Sequence, residues 1–182
     1  MTTYVALLYS IVLSAEKRVV MSDLRRMVEQ IGYTNVRTLV STGNLVFEAR
    51  KASLAAIERK LEASFEQAYG KHVDIIARDA EAWLRLAGGN PFPDESRQYP
   101  DRVGVRVMRK PVAAEAVEAL EAFRGTDERI HVVEGDIWCF FARDPGSSRL
   151  LSALGRKPIG IGTSRNWNTV CGIARMLGQE IS

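Results

Sequence analysis

The chain has 182 residues, of which 46% are hydrophobic and 26% are charged, and its formal net charge at pH 7 is +3. This composition excludes disordered and collagen-like proteins and predicts a compact, soluble globular protein. The apolar run over residues 4–13 is too short to span a bilayer and lacks the preceding basic residues of a secretory signal, so we expect no membrane association. Cys139 and Cys171 lie far apart in the sequence, which predicts reduced thiols in a cytoplasmic protein.

The first half of the chain has the pattern of a mixed α and β unit. Apolar periodicity and turn residues predict, in chain order, a strand at 3–8, a helix at 21–31, strands at 36–40 and 45–48, a helix at 53–69, a strand at 73–77 and a short helix at 80–87. The second and third strands are joined by residues 41–44, a turn in which Gly43 is expected to need a positive φ. The order is βαββαβ, followed by the short helix.

The second half repeats this order after a stretch rich in glycine and proline. The pattern predicts a linker at 88–102, a strand at 103–108, a helix at 112–123, strands at 129–133 and 136–141, a short helix at 149–154, a short strand at 158–161 and a final helix at 166–177. We therefore predict an α+β fold of two tandem ferredoxin-like subdomains (split βαβ, alpha-beta plait) at 1–87 and 103–182, the second with a modified C-terminal end. How their sheets pack is left open.

The strongest candidate for a binding site is the segment 163–169, Thr-Ser-Arg-Asn-Trp-Asn-Thr, which follows Gly160-Ile161-Gly162. Glycines let a backbone approach a ligand closely, and the amides at a helix start attract anions. Arg165 can add a forked, charge-assisted pair to a phosphate or carboxylate. The predicted ligand-binding residues of this segment are Thr163, Ser164, Arg165, Asn166 and Asn168. The alternative is a structural corner in which Trp167 is core and Asn166 caps the helix.

A second polar cluster lies at residues 41–44, where Thr42 and Asn44 are added to the predicted binding residues. Neutral hydrogen-bonding groups of this kind orient a base or a sugar edge. The simpler interpretation is a hairpin turn without a ligand.

Several short strings of the chain resemble a known bacterial family. They are Ala6-Leu7-Leu8, Met21 with Leu24-Arg25, Gly43-Asn44 followed by Val46-Phe47, Asn90-Pro91-Phe92, and the segment 163–169. In order and spacing they resemble the family called domain of unknown function (DUF) 1697, over nearly the whole chain. The resemblance implies two ferredoxin-like subdomains and brings no established activity.

The chain departs from that family after its first strand. The family usually has Arg-Gly-Ile-Asn-Val-Gly-Gly there, whereas residues 9–15 of this chain are Tyr-Ser-Ile-Val-Leu-Ser-Ala. A charge, an amide and three flexible glycine positions are lost together. We expect that whatever this loop binds elsewhere is bound weakly here, or that something else is bound.

Catalysis has little support in the sequence. His72 and His131 each stand at a predicted strand start without a nucleophile or an acid at a recognisable spacing. The sequence contains no two-cysteine metal pair, no His-Glu-x-x-His, no nucleophile elbow and no phosphate-loop lysine, so we expect no metal, no cofactor and no catalytic residue. An enzyme, either a hydrolase or a transferase that uses Ser41 or Thr42, stays open as an alternative.

Positive charge is concentrated at the C-terminal end. Residues 143–182 carry six basic and two acidic side chains, whereas the rest of the chain carries 19 basic and 20 acidic ones. This asymmetry favours an anionic partner. The leading hypothesis is a non-catalytic module that binds a small anionic or nucleotide-like ligand between its halves, and the alternative is nucleic-acid binding through the basic region. The sequence does not determine the oligomeric state.

Overall fold

The structure is a computed structural model that describes residues 1–181, with every side chain among them except that of Ser41. The fold is mixed α+β and contains two four-stranded antiparallel sheets. The described residues form two compact units: the first contains Met1–Leu84 with Gly172–Gln179, and the second contains Arg85–Cys171 and the residues after 179. None of the helices in residues 1–181 has the length and apolar character needed to cross a membrane.

The first unit has the predicted βαββαβ order. Its elements are β1 (Thr2–Leu8), α1 (Met21–Gln30), β2 (Thr34–Leu39), β3 (Asn44–Ala49), α2 (Leu54–Tyr69) and β4 (Ile75–Asp79), and α3 (Ala80–Gly88) follows across the unit boundary. The strand order is β2-β3-β1-β4. Alternate residues of β1 and β3, including Tyr4 and Phe47, form a core with the apolar faces of both helices.

Helix α2 also covers the edge of this sheet. Edge strands carry backbone N–H groups that need partners, and β4 is such an edge. Glu58 and Glu62 lie one helical turn apart on α2, and each offers a carboxylate oxygen to β4. Glu58 Oε1 accepts from the Ala77 N–H at 2.9 Å, and Glu62 Oε1 accepts from the Ile75 N–H at 3.0 Å. These bonds explain why Glu58 is buried.

The second unit repeats this arrangement with additions. Its elements are α4 (Pro93–Gln98), β5 (Val103–Met108), α5 (Ala114–Glu121), β6 (Arg129–Val133), β7 (Asp136–Phe140), α6 (Arg149–Leu154), β8 (Gly162–Asn166) and α7 (Trp167–Met176). The strand order is β6-β7-β5-β8, which matches that of the first sheet. Helix α7 begins in this unit, and its residues from Gly172 onward belong to the first unit.

Two elements differ from the sequence prediction. Helix α4 lies inside the stretch predicted as a linker, and it begins with Pro93, which suits the first turn of a helix. The last strand was predicted at 158–161, but Lys157–Ile159 is a short 3-10 turn and the strand follows at Gly162–Asn166. Ile159, the last residue of that turn, is buried. Its apolar side chain therefore contributes to the core from a turn and not from a strand.

Helix α7 is held in the first unit at its C-terminal end. Arg37 Nη1 donates to the main-chain oxygen of Met176 at 2.7 Å, which satisfies one of the open carbonyl groups of the last turn. Gly172 lies against Leu39, since a Cβ at Gly172 would stand 2.6 Å from Leu39 Cδ2. The small residue therefore allows the helix to approach β2 closely.

Candidate functional site

The segment 163–169 begins inside a strand. Thr163, Ser164 and Arg165 belong to β8, which pairs with β5, and the helix starts only at Trp167. The sequence predicted that a strand turns into a helix within this segment, and the structure has this transition between Asn166 and Trp167. Pairing with β5 over five residues holds this polar sequence in a strand.

The Arg165 side chain lies on the sheet face that carries Val105 and Trp138. Val105 pairs with both residues in the register, and directly opposed residues share a face. Arg165 is only 9% exposed, and its Nη1 donates to Thr163 Oγ1 and to the Ser164 main-chain oxygen, both at 2.8 Å. Burial lowers the pKa of the Arg165 guanidinium to about 10. It therefore remains charged at neutral pH.

Asn166 caps helix α7. Its Oδ1 accepts from the backbone N–H and from the hydroxyl of Thr169, each at 3.0 Å. Trp167 is buried and its ring lies 6.1 Å from that of Trp138, which confirms the predicted core role. Asn168 is exposed on the first turn of the helix.

The opposite face of this sheet carries a cavity of about 330 Å³. It is lined by Asp101, Val103, Gly104, Val105, Arg106, Cys139, Phe141, Pro145, Leu151, Leu154, Ser164, Arg165 and Asn166. Gly104 pairs with Cys139 on one side and Asn166 on the other, so the missing side chain leaves a hollow in that row. The main chain of Arg165 borders this hollow. A Cβ added at Gly104 would lie 3.3 Å from the Arg165 carbonyl oxygen.

Arg106 is a second buried arginine among the residues that line this cavity. It is 5% exposed and pairs with Ser164, so it lies on the face opposite to Arg165. Arg106 Nη2 donates to the Gly160 main-chain oxygen at 3.3 Å. A Cβ at Gly162 would lie 3.3 Å from Arg106 Nε and 2.8 Å from the Val107 oxygen. Gly162, one of the two glycines expected to admit a ligand, therefore leaves room for Arg106.

Arg106 was not among the binding residues predicted from the sequence. A signal was present in the strand Val103-Gly-Val-Arg-Val-Met, where a single arginine interrupts an otherwise apolar run. A charged residue in a strand buried on both faces is unusual and needs compensating contacts. This pattern of one arginine in an apolar strand would have indicated Arg106 as a candidate site residue.

The second predicted cluster lies in the first unit. Asn44 is 1% exposed, and its Nδ2 donates to the Leu39 main-chain oxygen at 3.0 Å and to Thr42 Oγ1 at 2.8 Å. Gly43 has the predicted positive φ, 77°. Asn44 thus closes its own turn, and Thr42 is exposed beside it. The Ser41 side chain lies outside the described residues, so the hypothesis of a nucleophilic serine stays a prediction.

The family model described as "Protein of unknown function (DUF1697)" matches residues 1–138. The chain belongs to this family. The resemblance found in the sequence is confirmed over that range, whereas the segment 163–169 lies beyond the match.

A solved structure is similar to nearly the whole chain. The conserved bacterial protein SP0830 from Streptococcus pneumoniae superimposes with a TM-score of 0.76 at 22% sequence identity, covering 97% of this chain and 98% of that chain. At this identity the similarity shows a shared fold and no activity. No protein with a curated description matches the chain.

The DUF1697 motif Asn90-Pro91-Phe92 organises helix α4. Asn90 Oδ1 accepts from the Phe92 N–H at 2.9 Å, and Asn90 Nδ2 donates to Ser96 Oγ at 2.7 Å. The Phe92 ring is buried, and the Arg129 guanidinium lies 5.0 Å from its centre. Arg129 also pairs with Glu95 of α4, and this hydrogen bond lowers the pKa of the Glu95 carboxyl. This motif therefore has a structural role.

Proposed function

We propose that this DUF1697 protein is a non-catalytic module that binds a small anionic ligand in the cavity of its second unit. The observation that carries the proposal is the Arg106 guanidinium, a buried positive charge among the residues that line a cavity otherwise rich in apolar side chains. Ligand sites commonly combine apolar walls with a few polar groups that orient the ligand. Arg106 supplies the charge in this arrangement.

The lining residues indicate the chemical class of the ligand. Phe141, Leu151 and Leu154 favour a ligand with an apolar or ring portion, while Ser164 and Asn166 offer neutral hydrogen bonds. Arginine pairs with phosphate and carboxylate groups through a planar fork. The volume of about 330 Å³ is at the lower end for ligand pockets. A phosphate- or carboxylate-bearing small molecule, no larger than a mononucleotide, is the proposed ligand.

The proposal revises the roles of the sequence-predicted residues. Ser164 and Asn166 remain cavity residues, and Arg165 contributes its main chain while its guanidinium bonds Thr163 on the other face. Participation of Asn168, and of Thr42 and Asn44 in the first unit, stays a prediction. Arg106 replaces Arg165 as the residue to test.

The test titrates inorganic phosphate and adenosine monophosphate into the full chain and measures binding heat and melting temperature. Arg106→Met removes the charge and keeps a similar volume, a change that buried ionic groups often tolerate. We expect it to weaken binding about tenfold or more, because a hydrogen bond to a charged group contributes about 1.5–3 kcal/mol. Arg143→Met, at an exposed arginine of the same unit, is the matched control and should leave affinity unchanged.

Two further variants separate shape from charge. Gly104→Val fills the cavity without altering charge, and we expect it to abolish binding. Asp101→Asn removes a negative charge from the lining residues and should strengthen the binding of an anion. The proposal is wrong if neither probe binds the wild-type chain, or if binding survives both Arg106→Met and Gly104→Val.

Nucleic-acid binding is the second candidate function. Arg149 and Arg156 are exposed, and their guanidinium groups lie 5.8 Å and 4.2 Å from the centre of the Phe123 ring. Cations beside an aromatic ring suit a single strand, although Trp138 is buried and offers no stacking surface to solvent. Filter binding of a single-stranded oligonucleotide should then weaken steeply with salt and with Arg156→Met. A response independent of salt would exclude this function.

We also infer that each unit is a ferredoxin-like subdomain. The strand orders β2-β3-β1-β4 and β6-β7-β5-β8 are equivalent, and the first sheet packs α1 and α2 on one face. Two split βαβ units built in this way support the inference.

A further inference from the structure

A histidine and two carboxylates meet at one place in the first unit. Glu62 lies on helix α2, and His72 and Asp74 lie in the extended segment that leads into β4. Val73 between them is buried in the core, so His72 and Asp74 point to the other side of the chain. The Glu62 carboxylate lies beside these two side chains at the start of β4.

The three groups lie close enough together to be brought onto one metal ion. His72 Nε2 lies 3.1 Å from Asp74 Oδ1, and one ligand atom from each of the three residues lies within 4.8 Å of the others. Ligands about 2.1 Å from a metal stand about 3.0–3.4 Å apart in octahedral or tetrahedral sites. Small side-chain rotations, chiefly of the exposed His72, would place all three on one ion.

The surrounding backbone positions two of the three groups. Glu62 Oε1 accepts from the Ile75 N–H at 3.0 Å, which orients the carboxylate toward the start of β4. The Asp74 main-chain oxygen accepts from the Tyr9 N–H at 2.9 Å, which fixes that segment against the end of β1. Hydrogen bonds to ligand groups of this kind orient metal sites. The His72 side chain is 53% exposed, so an ion can enter from solvent.

We propose that Glu62, His72 and Asp74 bind a divalent first-row transition-metal ion such as Zn²⁺ or Co²⁺. One imidazole nitrogen and two carboxylate oxygens form a mixed nitrogen and oxygen set that these ions accept. Two carboxylates also balance the charge of a divalent ion. Three protein ligands leave at least one coordination position for water. The site belongs to the first unit and does not depend on the anion cavity.

The test uses the chelator-treated full chain, with Co²⁺ followed by its visible absorption and Zn²⁺ followed by calorimetry. We expect one equivalent of Co²⁺ to bind. His72→Ala should weaken binding about tenfold or more. Glu62→Gln should do the same, while its amide oxygen still accepts from the Ile75 N–H.

His131→Ala is the matched control, because His131 is the second of the two histidines in the chain and is also exposed. It should leave metal affinity unchanged, and far-UV circular dichroism should show that each variant is folded. The proposal is overturned if Co²⁺ does not saturate the wild type, if His72→Ala binds as well as the wild type, or if His131→Ala weakens binding equally. The pair His72 and Asp74 would then be only a surface contact.

Discussion

Replacing Gly43 by alanine should destabilise the first unit. Gly43 has φ 77°, a left-handed conformation that glycine adopts without cost. A Cβ at this position would lie 2.8 Å from Leu8 Cβ and 2.9 Å from Ile11 Cγ2, and both neighbours are buried. The change therefore introduces two penalties, one in the backbone and one in the packing.

The two penalties can be estimated separately. A left-handed conformation costs a residue with a Cβ about 1–2 kcal/mol. Forcing an extra carbon into a packed core costs about 1–3 kcal/mol. Gly43→Ala should therefore lower the free energy of unfolding by about 2–5 kcal/mol. Gly70 is the matched control, with φ 70° and no atom within 4 Å of the added Cβ, so Gly70→Ala carries only the backbone penalty.

Urea-induced unfolding followed by far-UV circular dichroism measures both variants. Both glycines lie in the first unit, so the same transition reports on them. The slope with urea concentration must match that of the wild type for the two free energies to be compared. Equal losses in Gly43→Ala and Gly70→Ala would refute the packing argument, and no loss in either would refute the backbone argument.

Three further predictions concern a buried carboxylate, a helix cap and a buried thiol. Glu58→Ala should cost about 1–3 kcal/mol because it deprives the Ala77 N–H of its acceptor, whereas Glu58→Gln should retain most of the stability in urea unfolding. Asn166→Ala should cost about 1 kcal/mol by removing the cap of α7, measured in the same way. Burial raises the pKa of the Cys139 thiol from 9.0 to about 12, so the unfolded chain ionises this thiol first as the pH rises. The free energy of unfolding should then fall by about 1 kcal/mol between pH 9 and pH 10, relative to Cys139→Ala.

Each of these predictions has an outcome that contradicts it. Equal stability of the alanine and glutamine variants at Glu58 would show that the Ala77 N–H does not depend on the carboxylate. Unchanged stability of Asn166→Ala would show that the Asn166 side chain does not stabilise α7 as an N-cap. A constant difference between wild type and Cys139→Ala from pH 9 to pH 10 would show that the thiol ionises equally in both states.

The turn at Gly43 was predictable because its cause is local, and the residue has the expected positive φ. The same local chemistry acts at Gly70, which ends α2 with φ 70°, and at Glu134-Gly135 between β6 and β7, with φ values of 49° and 87°. Ser53 caps α2 by accepting from the Ala56 N–H. A few neighbouring residues contain all the chemistry of such features.

Helix α4 and the position of β8 were not predictable in this way. Helix α4 has six residues, and its contacts with Arg129 come from a residue more than 30 positions away in the chain. Strand β8 is polar and is held by pairing with β5. Apolar periodicity cannot detect an element whose partners are distant in sequence.

The amino-acid sequence by itself determined the order of the strands and of the other helices, the membership of the DUF1697 family and the region in which the second unit concentrates polar groups. Only the tertiary structure decided which side chains meet. The register of β8 against β5 turns Arg165 away from the cavity and Arg106 toward it, and the docking of α2 beside β4 brings Glu62 to His72. The physical reason is that a strand exposes alternate residues on opposite faces, and its register depends on burial contributed by distant parts of the chain.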